Sequence, residues 1–103
     1  MTFESFEHHH SNYRQMQEIT PASIGIRKKV RLFMARREGR LSAIVALEQK
    51  SRVVLKDVAV LESIVEKMEH FVAADFTAKV LLMEAPLCSK ARQALEEQGW
   101  DIL

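Results

Sequence analysis

The sequence predicts one mixed α/β domain with its elements in the order (α)-β-β-α-β-α-β. Three observations predict this. The chain has 103 residues, which is one domain's worth and leaves no room for a second core. Apolar residues alternate with period two around residues 28–47, then recur at helical spacing after residue 57. Beyond that point apolar strands alternate with helices, which requires crossover connections and some parallel pairing. The organisation expected is an N-terminal segment, 1–26, followed by an α/β domain, 27–103.

In residues 2–18, Phe3, Phe6, His10, Tyr13 and Gln17 fall at helical spacing and predict a short helix. Pro21, Ser23 and Gly25 place a turn after it. In 28–36, Val30, Leu32 and Met34 alternate with Lys29, Arg31 and Phe33, as in a strand with one basic face. Gly39 lies in the turn of a hairpin that returns as Leu41–Leu47, apolar on both faces like a central strand. Val53–Leu55 either extends the sheet briefly or leads into the next helix. Asp57 is the expected N-cap of that helix, which runs to about residue 73. Its inward face is Val58, Leu61, Ile64, Val65, Met68, Phe71 and Val72, and acids fill the other side. Lys79–Glu84 is a strand stopped by Ala85 and Pro86. Ser89 is the expected cap of a last helix with Ala91, Ala94 and Leu95 facing in. Gly99 ends it, and Trp100 with Ile102 and Leu103 forms a final strand.

Composition narrows the function classes. Hydrophobic residues make up 48% and charged residues 28%, ordinary for a globular domain. Cys88 is the one cysteine, so an intrachain disulfide is excluded, and a reducing, cytoplasmic setting is expected. Met1–His10 lacks the basic and apolar regions of a signal peptide, and no apolar run reaches membrane-helix length, so no membrane partner is expected. P-loop, G-x-G-x-x-G and G-x-S-x-G motifs are absent.

Charge is balanced overall at +1 but not along the chain. Residues 27–56 carry ten Lys or Arg against two acids, a net +8, while 57–103 carry four against nine, a net −5. The middle block therefore prefers anions. Lys29, Arg31, Arg36, Arg37, Arg40, Lys50 and Arg52 are the candidate phosphate contacts, through which nucleic acid would bind with salt-dependent affinity. The rival reading pairs these cations with the acidic helix, within one chain or across a homodimer. In the dimer, Phe3 and Phe6 would cover a partner or an edge strand. His8, His9 and His10 point about 100° apart if helical, so they read as a solvated segment and not as a metal site. Cys88, near a helix start, reads as a structural thiol.

Two stretches carry a family resemblance. Val80-Leu-Leu-Met-Glu-Ala-Pro-Leu-Cys-Ser-Lys-Ala-Arg-Gln-Ala-Leu-Glu-Glu-Gln-Gly-Trp100 is an apolar strand, a helix with small residues and a glycine. Glu48-Gln49-Lys50 has the form of an E-x-K half-motif at the end of a central strand, with a helix after it. Over residues 28–103 the chain resembles the restriction-endonuclease-like, or PD-(D/E)xK, nuclease superfamily, and the first stretch is similar to a unit of its DNA-repair branch. The resemblance implies a restriction-endonuclease-like core. It also implies a site in which Glu48 and an acid on the preceding strand hold Mg²⁺ while Lys50 positions or activates water. That strand offers Lys29, Arg31 and Arg36 instead, and Glu38 lies in the turn. The expectation is therefore a degenerate relative that binds nucleic acid without cutting it, with Glu48 and Lys50 the weak catalytic candidates.

Overall fold

A computed structural model describes residues 13–26, 30–37, 39–48, 51–83 and 85–102. Five strands form one sheet in sequence order: β1 (Tyr13–Ile19), β2 (Val30–Arg37), β3 (Arg40–Leu47), β4 (Ala78–Leu82) and β5 (Trp100–Ile102). A short 3₁₀ turn (Pro21–Ile24) joins β1 to β2, α1 (Leu55–Val72) joins β3 to β4, and α2 (Ser89–Glu97) joins β4 to β5. β2 runs antiparallel to both β1 and β3, and β3, β4 and β5 run parallel. The hairpin register pairs Arg37 with Arg40 and Val30 with Leu47, and Gly39 supplies a φ of 79° in the turn.

The N-terminal expectation needs correction. Tyr13–Ile19 is a strand, where helical spacing predicted the tail of a helix. Its register slips between Arg14 and Gln17, so one irregularity disturbs the period-two pattern that would have marked it. Residues 2–12, including Phe3, Phe6 and the three histidines, lie outside the described residues.

α1 starts three residues earlier than expected. Asp57 is not its N-cap but the third helical residue, and its carboxylate accepts the Val54 N–H at 2.9 Å. That contact satisfies a donor at the helix start from inside the first turn. The helix ends at Ala73, whose φ of 56° is left-handed. The link to β4 is then fixed by three contacts. Phe76 N–H donates to Glu69 Oε2 at 3.0 Å, and Thr77 donates to Leu41 O through both its N–H and its hydroxyl. α2 likewise starts at Ser89, with Cys88 in the N-cap position, and Ser89 itself makes no cap.

The sheet has two buried faces. On one, Leu32, Ala43, Val45 and Leu81 pack against Leu61, Ile64, Val65 and Met68 of α1 and Ala91 and Leu95 of α2. On the other, Phe33, Ala35, Ile44, Val80 and Leu82 are at most 1% exposed, and this cluster contains no residue of either helix. The predicted inward stripe of α1 holds for Val58, Leu61, Ile64, Val65 and Met68. Phe71, expected inside, is 54% exposed: in the last turn the inward stripe continues through Met68 and Val72, which pack on the core, and Phe71 lies to the side of it. Glu62 is the polar link across the helix side. Its carboxylate accepts Lys79 Nζ at 3.1 and 3.2 Å and Trp100 Nε1 at 3.1 Å, tying α1 to β4 and β5.

Topology gives the sheet two chemically distinct ends. β3, β4 and β5 all finish at one end, where the connections into α1 and α2 begin. There Val53 bridges to Leu87, Val53 N–H donates to Pro86 O at 2.9 Å and Cys88 N–H donates to Val53 O at 3.0 Å. The β2–β3 turn lies at the opposite end. No described helix is long and apolar enough to cross a membrane.

Candidate nucleic-acid interface

The basic block, contiguous in sequence, is divided between these two ends. β2 runs from Val30 at the crossover end to Arg37 at the turn end. At about 3.3 Å per residue, Arg31 and Arg37 are roughly 20 Å apart. Arg36, Arg37 and Arg40 belong to the turn end, and Arg36 and Arg40 are exposed. Arg31 and Arg52 belong to the crossover end, with Glu48 exposed just past β3. Lys29 and Lys50 lie outside the described residues.

Sequence reasoning missed Arg14. Register sets it directly opposite Arg36 and sets Tyr13 opposite Arg37. Three adjacent strands thus bring Arg14, Arg36, Arg37 and Arg40 to one end of the sheet. No local signal could have found this, because Arg14 is more than twenty residues from its neighbours and lies in a segment whose strand pattern is interrupted.

The rival pairing with the acidic helix takes a different form from the one expected. The acid that meets Arg31 is Glu18 of β1, through Nε at 3.2 Å and Nη2 at 3.1 Å, and Arg31 also lies 5.2 Å from the centre of the Phe33 ring. The cation that meets α1 at Glu62 is Lys79, from outside the basic block. Among the described residues, Arg36, Arg40 and Arg52 make no ion pair and are exposed.

The N-termini of α1 and α2 both lie at the crossover end, with Lys56 and Lys90 exposed. Backbone N–H groups of Ala91 and Lys90, with the charges of Arg52 and Lys90, hold the Cys88 thiol below the ordinary range.

Among the described residues no E-x-K metal site is assembled, and Lys50 lies outside them. No three His, Cys, Asp or Glu side chains among them are grouped to hold an ion. The residue opposite the last residue of β3 is Val30, not an acid. Glu18 is engaged by Arg31, and it lies two strands across and four residues along from Glu48. Regular strand spacing puts their Cα atoms about 16 Å apart, too far to share one cation.

No family model matches the chain, and no curated protein does. The sheet order, with β2 antiparallel to its neighbours and helical crossovers after β3 and β4, is the restriction-endonuclease-like fold. The chain is similar to a solved structure of a repair endonuclease from Pyrococcus abyssi, at a TM-score of 0.51 and 15% identity. The match covers 84% of this chain and 37% of that one, so this chain spans well under half of its neighbour's length.

Proposed function

We propose that this chain is a small nucleic-acid-binding domain of nuclease-like fold that contacts phosphates without cutting them. The observation that carries the reading is the exposure of Arg36, Arg40 and Arg52, none of them paired with an acid among the described residues. Such cations displace the counterions condensed on a phosphate backbone, so binding is electrostatic and indifferent to sequence. The structural neighbour is a repair endonuclease, which supports the same ligand class. The free Cys88 fits a reducing, cytoplasmic setting. Mg²⁺ enters only in the alternative of a metal-dependent nuclease built on Glu48 and Lys50. Cleavage dependent on Mg²⁺ and lost in Glu48→Ala would establish that alternative.

The test is fluorescence anisotropy with labelled DNA and RNA at low and near-physiological salt. Micromolar binding that weakens steeply with salt supports the reading. Replacing Arg36, Arg37 and Arg40 with Gln should lower the salt slope by about 0.9 for each phosphate that is no longer neutralised. Absence of binding at low salt overturns it.

A second reading, a self-associating interaction module, is favoured by one observation. Val60 and Phe71 of α1 are 42% and 54% exposed. Light scattering decides it: a dimer that Phe71→Ser dissociates supports it, and a monomeric mass at micromolar concentration removes it.

A further inference from the structure

The sheet face turned away from α1 and α2 is buried, yet no described element lies over it. Ile44 and Val80 are 0% exposed and Leu82 is 1% exposed, on the inner strands β3 and β4. Among the described hydrophobic residues, Met16 and Ala46 pack against this cluster, and both belong to strands of the sheet itself. Side chains of a strand stand roughly perpendicular to the sheet, so a sheet cannot roof its own face. An open face would leave the tips of Ile44 and Val80 in water. Their complete burial needs a second layer of chain above them.

Chain length selects the segment that can supply this layer. Apart from residues 1–12, the residues outside the described ones come in runs of at most three: 27–29, 38, 49–50, 84 and 103. All but the last are tethered on both sides to described residues near strand ends, so none can lie across the middle of the sheet. Residues 1–12 lead directly into Tyr13, the first residue of β1, at the edge of the sheet. From β1 to β4 is three strand spacings, about 14 Å. Twelve residues span about 18 Å at a helical rise and more if extended, which is enough in either case. The segment also carries two large apolar side chains, Phe3 and Phe6.

We propose that residues 1–12 are an intramolecular strap across this face, with Phe3 and Phe6 set over Ile44, Val80 and Leu82. The second core is then closed by the chain's own N-terminal segment, and Phe3 and Phe6 are not available to a partner. Self-association falls instead to α1, where Val60 and Phe71 are exposed. The strap does not depend on the nucleic-acid reading.

The experiment is NMR on the full chain with labelled Ile, Val and Leu methyl groups. Nuclear Overhauser contacts should join the Phe3 and Phe6 rings to the methyls of Ile44, Val80 and Leu82, and not to those of Val45 or Leu81 on the helix-covered face. A sample mixed from labelled and unlabelled chains separates one chain from two. Contacts absent from the spectrum that selects pairs between chains support the strap. Contacts that persist there assign the cover to a second copy and overturn it. A Phe3→Ser/Phe6→Ser variant should lower the denaturant midpoint and shift the Ile44 and Val80 methyls while leaving Val45 and Leu81 in place. If that variant does not fold, the wild-type contacts decide alone. The proposal is overturned if no residue of 1–12 contacts Ile44, Val80 or Leu82, or if the double variant keeps both its midpoint and its methyl shifts.

Discussion

Single residues show how narrowly local chemistry is set. Glu62 satisfies both Lys79 Nζ and Trp100 Nε1 from one carboxylate, and Lys79 also lies 5.6 Å from the centre of the Trp100 ring. Glu62→Ala strands two donors in a partly buried site and should cost about 1–3 kcal/mol. Trp100 is the chain's one tryptophan, so its emission should shift in the same variant, reporting directly on the broken hydrogen bond. Ser42 is the converse case. Its Oγ is buried without a partner among the described residues, on a strand position flanked by Ala35 and Ala78. Ser42→Ala should leave stability unchanged or raise it by about 1 kcal/mol, read from the denaturant midpoint. At Cys88 the folded thiol is lowered, so the thiolate is already present at a pH where an unfolded cysteine remains protonated. Its alkylation by iodoacetamide should reach half-maximal rate at lower pH than a peptide thiol does. The sign for stability follows. The contribution is full above the unfolded thiol's value and is lost as pH falls through the folded one. An alkylation profile matching the peptide would contradict the lowered value.

At the scale of elements, terminal residues decide where each helix begins. Asp57 acts as an internal cap on the Val54 N–H, so Asp57→Ala should lower the denaturant midpoint by the equivalent of about 1 kcal/mol without changing the m-value. A change in m would mean that α1 had become a separate unfolding unit. After α2, Gly99 turns the chain into β5 with a φ of 87°. Gly99→Ala should cost about 1 kcal/mol through backbone strain alone, since a Cβ there would meet no atom within 4 Å. The strand β1 shows the opposite dependence. It holds its place through pairing with β2, and its own sequence pattern is too irregular to specify it.

For the whole molecule, charge placement separates the proposed binding from stability. Arg36 and Arg40 are exposed and make no ion pair among the described residues. Replacing both with Gln should leave stability within about 0.5 kcal/mol, read from the denaturant midpoint, while the proposed affinity for DNA falls. A variant that loses stability together with affinity would show that the arginines serve the sheet and not a ligand. The same topology delivers Glu48 to the end of β3, where Val30 stands opposite Leu47, the last residue of that strand. Fold alone does not set the chemistry at such a strand end.

Much of the architecture follows from the sequence by itself. The hairpin of β2 and β3, both helices, β4 and β5 are legible because their apolar residues keep a clean period and their ends carry Gly39, Asp57 and Gly99. These signals act within one element, where side-chain spacing and backbone preference are sufficient. Three features needed the tertiary structure. Tyr13–Ile19 is a strand because β2 offers it a ladder, which outweighs a weak helical stripe. Phe71 is exposed because Met68 and Val72 take the inward positions in the last turn of α1. The basic block is divided between the two ends of the sheet, since an extended strand carries its residues apart at about 3.3 Å each, whereas pairing sets Arg14 opposite Arg36 from a distant part of the chain. Charge composition could reveal a preference for anions. Only strand order and register could decide where those charges stand, because both are set by contacts between residues far apart in sequence.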